Sequence, residues 1–135
     1  MDGNIKLQAK IENLDSVIQF IRSCASDEGF SKKRILNIEL VVEEALANIC
    51  HHAYAGAIGD MEITCRTDSY RRLVINIVDA GRPFNMLSVA EPDLTTDISR
   101  RQPGGLGVML IRRMADDIHY LRRDDKNILT LVIAK

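Results

Sequence analysis

Residues 71–81, "RRLVINIVDAG", hold a nearly continuous apolar run, the pattern of a strand at the centre of a sheet. A chain with such a strand must give it neighbours, and the flanking segments read accordingly. Just before it, "DMEITCRTD" alternates Met61, Ile63 and Cys65 against polar residues, the period of a half-buried strand. The turn signal "DSYRR" between the two predicts an antiparallel pair. At the front of the chain "IKLQAKI" alternates Ile5, Leu7, Ala9 and Ile11. At its end "DIHYLRR" and "NILTLVIAK" read as two more strands joined at "DDKN".

The remaining segments change period. In "NLDSVIQFIRSCASDEGF", Leu14, Val17, Ile18, Ile21 and Cys24 fall on one helical face, and Gly29 is placed to end the helix. In "SKKRILNIELVVEEALANICHHAY", Ser31 is set to cap a second helix whose apolar stripe is Ile35, Ile38, Val42, Ala45, Leu46 and Ile49. That helix should end near Gly56 and Gly59. A third helix follows the glycines of "PGGLGVMLIRRMADD". Between the central strand and this helix, residues 82–105 carry three prolines and no sustained period. A structureless stretch of that length inside a compact domain is usually a lid or binding loop. The order β-α-α-β-β-lid-α-β-β predicts an α/β (α+β) two-layer sandwich, with three helices on one face of a mixed, largely antiparallel sheet.

At 135 residues the chain fits one domain, residues 1–135, with room for a real core. A formal net charge of −1 gives no electrostatic reason to expect nucleic acid or an anionic membrane as partner, so binding must come from a built site. The opening "MDGNIKLQAK" lacks the apolar core of a signal peptide, and no later run approaches the roughly 20 residues of a membrane span. A cytoplasmic protein is expected. Cys24, Cys50 and Cys65 are odd in number and lack CxxC spacing, so they read as reduced thiols, at least two of them facing the core.

Three polar features carry chemistry. Glu44 and Asn48 are spaced i,i+4 on the second helix, with His51 and His52 one turn on. Taken alone the pair reads as a solvated helix face; taken as a site it offers a carboxylate to accept a proton beside an amide oxygen to ligate a hard cation. Register separates Glu44 from its neighbour Glu43: around the helix axis Glu44 lies about 40° from Asn48 and Glu43 about 140°. Second, "DAGRPF" puts Asp79 at a strand end. A simple turn explains it, and so does a carboxylate that accepts a hydrogen bond from an exocyclic amine, with Gly81 letting a flat ring lie against the backbone. Third, glycines ahead of a helix either act as a hinge or let backbone N–H groups and the helix dipole approach phosphate. Neither GxxxxGK[ST] nor a complete GxGxxG is present, and the HRD and DFG signatures are missing.

In order and spacing, "EEALANICHHAY", "DAGRPFN", a lid and "PGGLGVMLIRRMAD" together resemble the Bergerat (GHKL) ATP-binding fold shared by gyrase, histidine kinases and mismatch-repair ATPases. Within it the chain looks like the small branch of anti-sigma-factor serine/threonine kinases of bacterial partner-switching systems. The resemblance covers nearly the whole chain. It implies ATP and Mg²⁺ as ligands, Glu44 as catalytic base, Asn48 as the metal-binding amide, Asp79 as the adenine-binding carboxylate and Gly81 beneath the ring. Gly104, Gly105 and Gly107, with Leu106 among them, match the phosphate cradle, and residues 82–105 match the ATP lid. His52 and Tyr54 match a recurrent "HAY" to which no chemical role attaches.

The expected activity is therefore transfer of the γ-phosphoryl group to a serine or threonine of an anti-anti-sigma (STAS-type) partner, in competition with a sigma factor, by a homodimer that engages neither nucleic acid nor membrane. The alternative is a non-catalytic ATP-binding module that only sequesters a partner protein. A histidine-kinase catalytic domain fits less well, because no dimerisation helix pair with a phosphoacceptor histidine is present in the sequence.

Overall fold

The computed structural model describes residues 3–54, 59–88 and 105–135. Among them run β1 (Gly3–Gln8), α1 (Leu14–Asp27), α2 (Lys32–Asn48), β2 (Asp60–Thr67), β3 (Leu73–Asp79), α3 (Gly105–Met114), β4 (Asp117–Arg123) and β5 (Lys126–Ile133). The strands form one sheet in the order β1-β2-β3-β5-β4. The central position predicted for the LVINIV run is where β3 lies.

Every pairing is antiparallel, so the sheet is not mixed. The reason is in the connections: β2–β3 and β4–β5 are tight hairpins, and the longer paths through helices return the chain beside a strand running the other way. The turn of the β4–β5 hairpin is the two residues Asp124 and Asp125, at φ 52° and 59°, the left-handed pair that matches strand twist. In the β2–β3 turn the Asp68 carboxylate accepts from the backbone N–H groups of Tyr70 and Arg72 and from Arg72 Nε, each at 2.8 to 2.9 Å. Those bonds hold its carboxyl below the usual carboxylate range, the Arg72 N–H first among them.

Alternation along the strands sends one face to the helices. Rows run across the sheet through Ile63, Ile77 and Leu129, and through Cys65, Ile75 and Leu131, all buried. Against them pack Val17, Ile21 and Ala25 of α1, Ile38, Val42 and Leu46 of α2, and Val108 and Ile111 of α3, forming one core. Each aliphatic side chain fully buried there contributes about 1.5–3 kcal/mol. The two-layer sandwich with three helices on one face is as the sequence predicts.

Local signals end the helices. Gly29, at φ 84°, closes α1: its N–H reaches Ser26 O and the Phe30 N–H reaches Ala25 O, the paired bonds of a Schellman motif. Ser31 Oγ accepts from the Arg34 N–H at 3.1 Å and caps α2. At β1 and α2 the boundaries differ from the sequence pattern. β1 stops at Gln8, and Ile11 falls in a 3-10 turn, Ile11–Asn13, where it is 52% exposed; the chain must leave the sheet to start α1, which overrides the alternation. α2 does not run as an α-helix into "HHAY": Ile49–Ala53 widens into a π-helical turn, closed by Tyr54 N–H on Ile49 O at 3.3 Å. Cys24 and Cys65 are buried and Cys50 half-buried, and none of the three is in a disulfide.

Candidate functional site

One row of the sheet departs from apolar character. Pairing aligns Leu7, Met61, Asp79, Asn127 and Arg122 across all five strands. Asp79 and Asn127 continue the core-facing side of β3 and β5, and each is only 4% exposed. Polar groups this deep need partners. Asn127 Nδ2 donates to Asp79 Oδ1 at 2.9 Å and to Arg82 O at 2.8 Å. Its Oδ1 accepts from the Phe84 N–H at 3.2 Å and from the Tyr120 hydroxyl at 2.5 Å. The amide therefore makes all four of its ordinary bonds and has one orientation.

Asp79 Oδ1 also accepts from the Gly81 N–H at 2.9 Å, an Asx turn that takes the chain out of β3. Both bonds to the carboxylate fall on Oδ1. Among the described residues no hydrogen bond ends on Oδ2.

The end of α2 faces this turn. Asn48 is 8% exposed, and its Nδ2 donates back to Glu44 O at 2.9 Å, which leaves its Oδ1 without a partner among the described residues. The π-helical turn then brings Ala53 against Gly81 so closely that a Cβ on Gly81 would stand 2.5 Å from Ala53 O. Only glycine fits there. Arg82 secures the contact from outside: its N–H donates to Ala53 O at 2.9 Å and its Nε to His52 O at 2.7 Å. The His52 ring stacks on Phe84, centroids 4.8 Å apart. The Tyr54 hydroxyl accepts from the Ala80 N–H at 2.8 Å and donates to Asp60 O at 2.5 Å. Burial raises its pKa above the ordinary phenol value, with Asp79 and Asp60 adding to the rise, so it stays protonated near neutral pH.

Asn48, Asp79 and Asn127 open on a single pocket whose apolar wall includes Ile49, Ile77, Phe84, Met86 and Leu129. The enclosed volume is about 20 Å³, the room of one ordered water. Apolar walls with an unpartnered acceptor at the back suit a flat heteroaromatic ring carrying an amino group. α3 borders the same region: Arg112 Nη2 donates to Leu87 O, in the 3-10 turn Met86–Ser88 that carries Met86 into the pocket.

The structure brings Asn48 and Asp79 to one pocket. Glu44 is half-buried on α2, does not line the pocket, and has no side-chain hydrogen bond or ion pair among the described residues. Glu43 is exposed and faces a different surface, the groove between α1 and α2 beside Leu14, Ile18 and Leu40. Gly81 lies under the π-helical turn rather than in the pocket lining. Gly105, Leu106 and Gly107 form the first turn of α3 instead of preceding it, and Gly104 lies outside the described residues, as does the lid from 89 on. Asn127 escaped the sequence reading. Its signal was there: alternation in "KNILTLVI" puts it on the face of Leu129, Leu131 and Ile133, a polar residue at a core position.

Comparison with known proteins agrees with this architecture. The family described as histidine kinase-like ATPase domain matches residues 7–133. The serine/threonine-protein kinase BtrW of Bordetella bronchiseptica is 27% identical over 128 residues, 94% of this chain and 89% of that protein. The serine-protein kinase RsbW of Bacillus mycoides is 28% identical over 130 residues, 93% of this chain and 80% of that protein. Among solved structures, the RsbU and RsbW domains of a Mycobacterium tuberculosis protein superpose with a TM-score of 0.70 at 15% identity, covering 98% of this chain and 32% of that one. A blue-light activated histidine kinase of Erythrobacter litoralis superposes at 0.56 with 18% identity, covering 89% of this chain and 41% of that one. At such identities the two structures speak for the fold alone, and this chain spans about a third of the first.

Proposed function

The chain belongs to the histidine kinase-like ATPase family, and from that membership we propose that it is an ATP-dependent protein serine/threonine kinase that phosphorylates a small anti-anti-sigma (STAS-type) partner. The observation that carries the reading is the convergence of Asn48 and Asp79 on one buried pocket, each with one oxygen that no described residue satisfies. Asp79 Oδ2 accepts from the adenine amine. A purine needs more room than one water, so the Phe84–Met86 wall shifts outward as it enters.

An amide whose N–H side is committed to the helix and whose oxygen is free fits a hard cation. Asn48 would hold Mg²⁺ through that oxygen, and the metal, when bound, neutralises phosphate charge. Among the described residues no group of three or more His, Cys, Asp or Glu could hold a metal, so Asn48 would share the ion with nucleotide oxygens and water. Gly105, Leu106 and Gly107 offer backbone N–H groups to the phosphates at the start of α3, where the helix leaves its first four donors unpaired, and Gly104, outside the described residues, is assigned to the same cradle by its place in the motif. Glu44 takes the proton from the partner's hydroxyl as that oxygen bonds to the γ-phosphorus and ADP departs. The binding surface for the partner is shared with a sigma factor, the kinase works as a homodimer, and the compartment is the cytoplasm. No helix among the described residues is long and apolar enough to cross a membrane.

Purified protein, γ-labelled ATP, Mg²⁺ and anti-anti-sigma domains of the same genome test this directly. Label should appear on a serine or threonine of one domain and vanish with Glu44→Ala while ATP still binds. ATP binding without any labelled partner would favour the second reading, a non-catalytic module that sequesters its partner. The position of Glu44 outside the pocket lining is what keeps that reading alive.

A further inference from the structure

The ladder between β2 and β3 pairs Met61 with Asp79, and the next pair in register would be Asp60 with Ala80. That pair is not formed. The Tyr54 hydroxyl stands between the two strands instead, accepting from the Ala80 N–H at 2.8 Å and donating to Asp60 O at 2.5 Å. A phenol hydroxyl can do both at once, so it splices into the sheet where a direct backbone bond would otherwise close. Its ring is held for the purpose: a Cβ on Gly59 would lie 2.0 Å from Tyr54 Cε1, so the ring rests directly on bare backbone.

The consequence falls on Asp79. With the strands held apart by one hydroxyl, β3 ends at Asp79 and the chain turns at once through Gly81, whose N–H then reaches Asp79 Oδ1. Asn127 binds the same oxygen, and among the described residues Oδ2 is left without a hydrogen bond. Without the hydroxyl, Ala80 and Asp60 can pair directly, the strand gains a residue, and the turn that aims the carboxylate is drawn out. Tyr54 itself does not line the pocket.

We propose that Tyr54 is a positioning residue for adenine recognition: its hydroxyl, inserted between Asp60 and Ala80, fixes the turn that presents Asp79 Oδ2 to the amino group of the base. The inference rests on the nucleotide reading given above. It makes Tyr54 a determinant of which purine is accepted, although it touches no part of the nucleotide.

The test compares ATP with purine riboside triphosphate, which lacks the 6-amino group, by titration calorimetry on the whole chain. The wild type should bind ATP about tenfold or more tightly than the analogue, the range of a hydrogen bond to a charged group. In Tyr54→Phe, ATP should weaken about tenfold while the analogue changes less than about threefold, so the preference collapses. A core variant, Val17→Ala, loses stability elsewhere and should keep the preference. Gly59→Ala, which drives a Cβ into the Tyr54 ring, should lose it as Tyr54→Phe does, and serves if the phenylalanine variant does not fold. Equal weakening of both nucleotides, or an unchanged preference in both variants, would overturn the role of Tyr54. A wild type that binds neither nucleotide overturns the nucleotide reading itself, and one that binds both equally overturns the part given to Asp79.

Discussion

Asn127 Nδ2 lies 2.9 Å from Asp79 Oδ1, between residues directly opposed across the β3–β5 ladder, and the same amide also holds Arg82 O, the Phe84 N–H and the Tyr120 hydroxyl. One side chain thus ties the site's carboxylate to the segment that walls the pocket. Asn127→Leu keeps the size and removes all four bonds, leaving buried groups unsatisfied. It should cost about 2–4 kcal/mol in urea unfolding and abolish detectable ATP binding. A variant that unfolds at the wild-type midpoint would refute the hub.

The two adjacent glutamates should separate cleanly. Glu44→Ala should lower phosphoryl transfer about 10²- to 10⁴-fold, the span of general-base contributions, with ATP affinity kept. Glu43, on the groove between α1 and α2, should tolerate alanine with kcat changed less than about twofold in the same assay. Equal losses would show that register does not choose the base.

Gly81→Ala places a Cβ 2.5 Å from Ala53 O and 2.7 Å from its carbonyl carbon, both backbone atoms that cannot swing aside. The π-helical turn and the Asp79 turn must part. A loss of about 1–3 kcal/mol is expected by thermal unfolding, as for overpacking in a core, together with weaker ATP binding.

Asp68 predicts a pH effect. Its folded pKa lies below the unfolded one, so its stabilising contribution is complete above the unfolded carboxylate value of about 3.9 and disappears as pH falls through the lower folded value. Asp68→Asn should therefore melt below wild type at pH 7, and the gap should shrink as the pH is lowered past that range. A gap that is constant with pH would assign the effect to hydrogen bonding alone.

Asp125→Gly should stabilise the protein by about 0.5–1 kcal/mol in chemical denaturation. Asp125 sits at φ 59°, where a Cβ carries a cost that glycine does not, and the preceding Asp124 already supplies the first residue of the turn.

Periodicity was enough to read the elements. The alternation of Met61, Ile63 and Cys65, the stripe of Ile38, Val42 and Leu46, and the capping signals at Ser31 and Gly29 are local, and each acts within a turn of helix or across one strand. Asn48 and Asp79 were legible as site candidates because their spacing and position at element ends are written in the chain. Where tertiary demands compete with local preference the reading slipped: Ile11 has the right parity for β1 yet leaves the sheet to begin α1, and α2 changes hydrogen-bond pattern at Ile49 to bring Ala53 onto Gly81.

The one-faced sandwich therefore follows from the order of short-range patterns, which burial of apolar side chains turns into layers. The site's fine structure has another source. Asn127 reaches Asp79 from 48 positions away and Tyr54 reaches Ala80 from 26, through groups whose partners no local pattern names. A hydrogen bond depends on distances of a few tenths of an ångström, set only when strand register, the π-helical turn and the hairpins are all in place. Sequence spacing tells which face a side chain takes; the packed sheet tells which oxygen of Asp79 the described residues leave without a hydrogen bond.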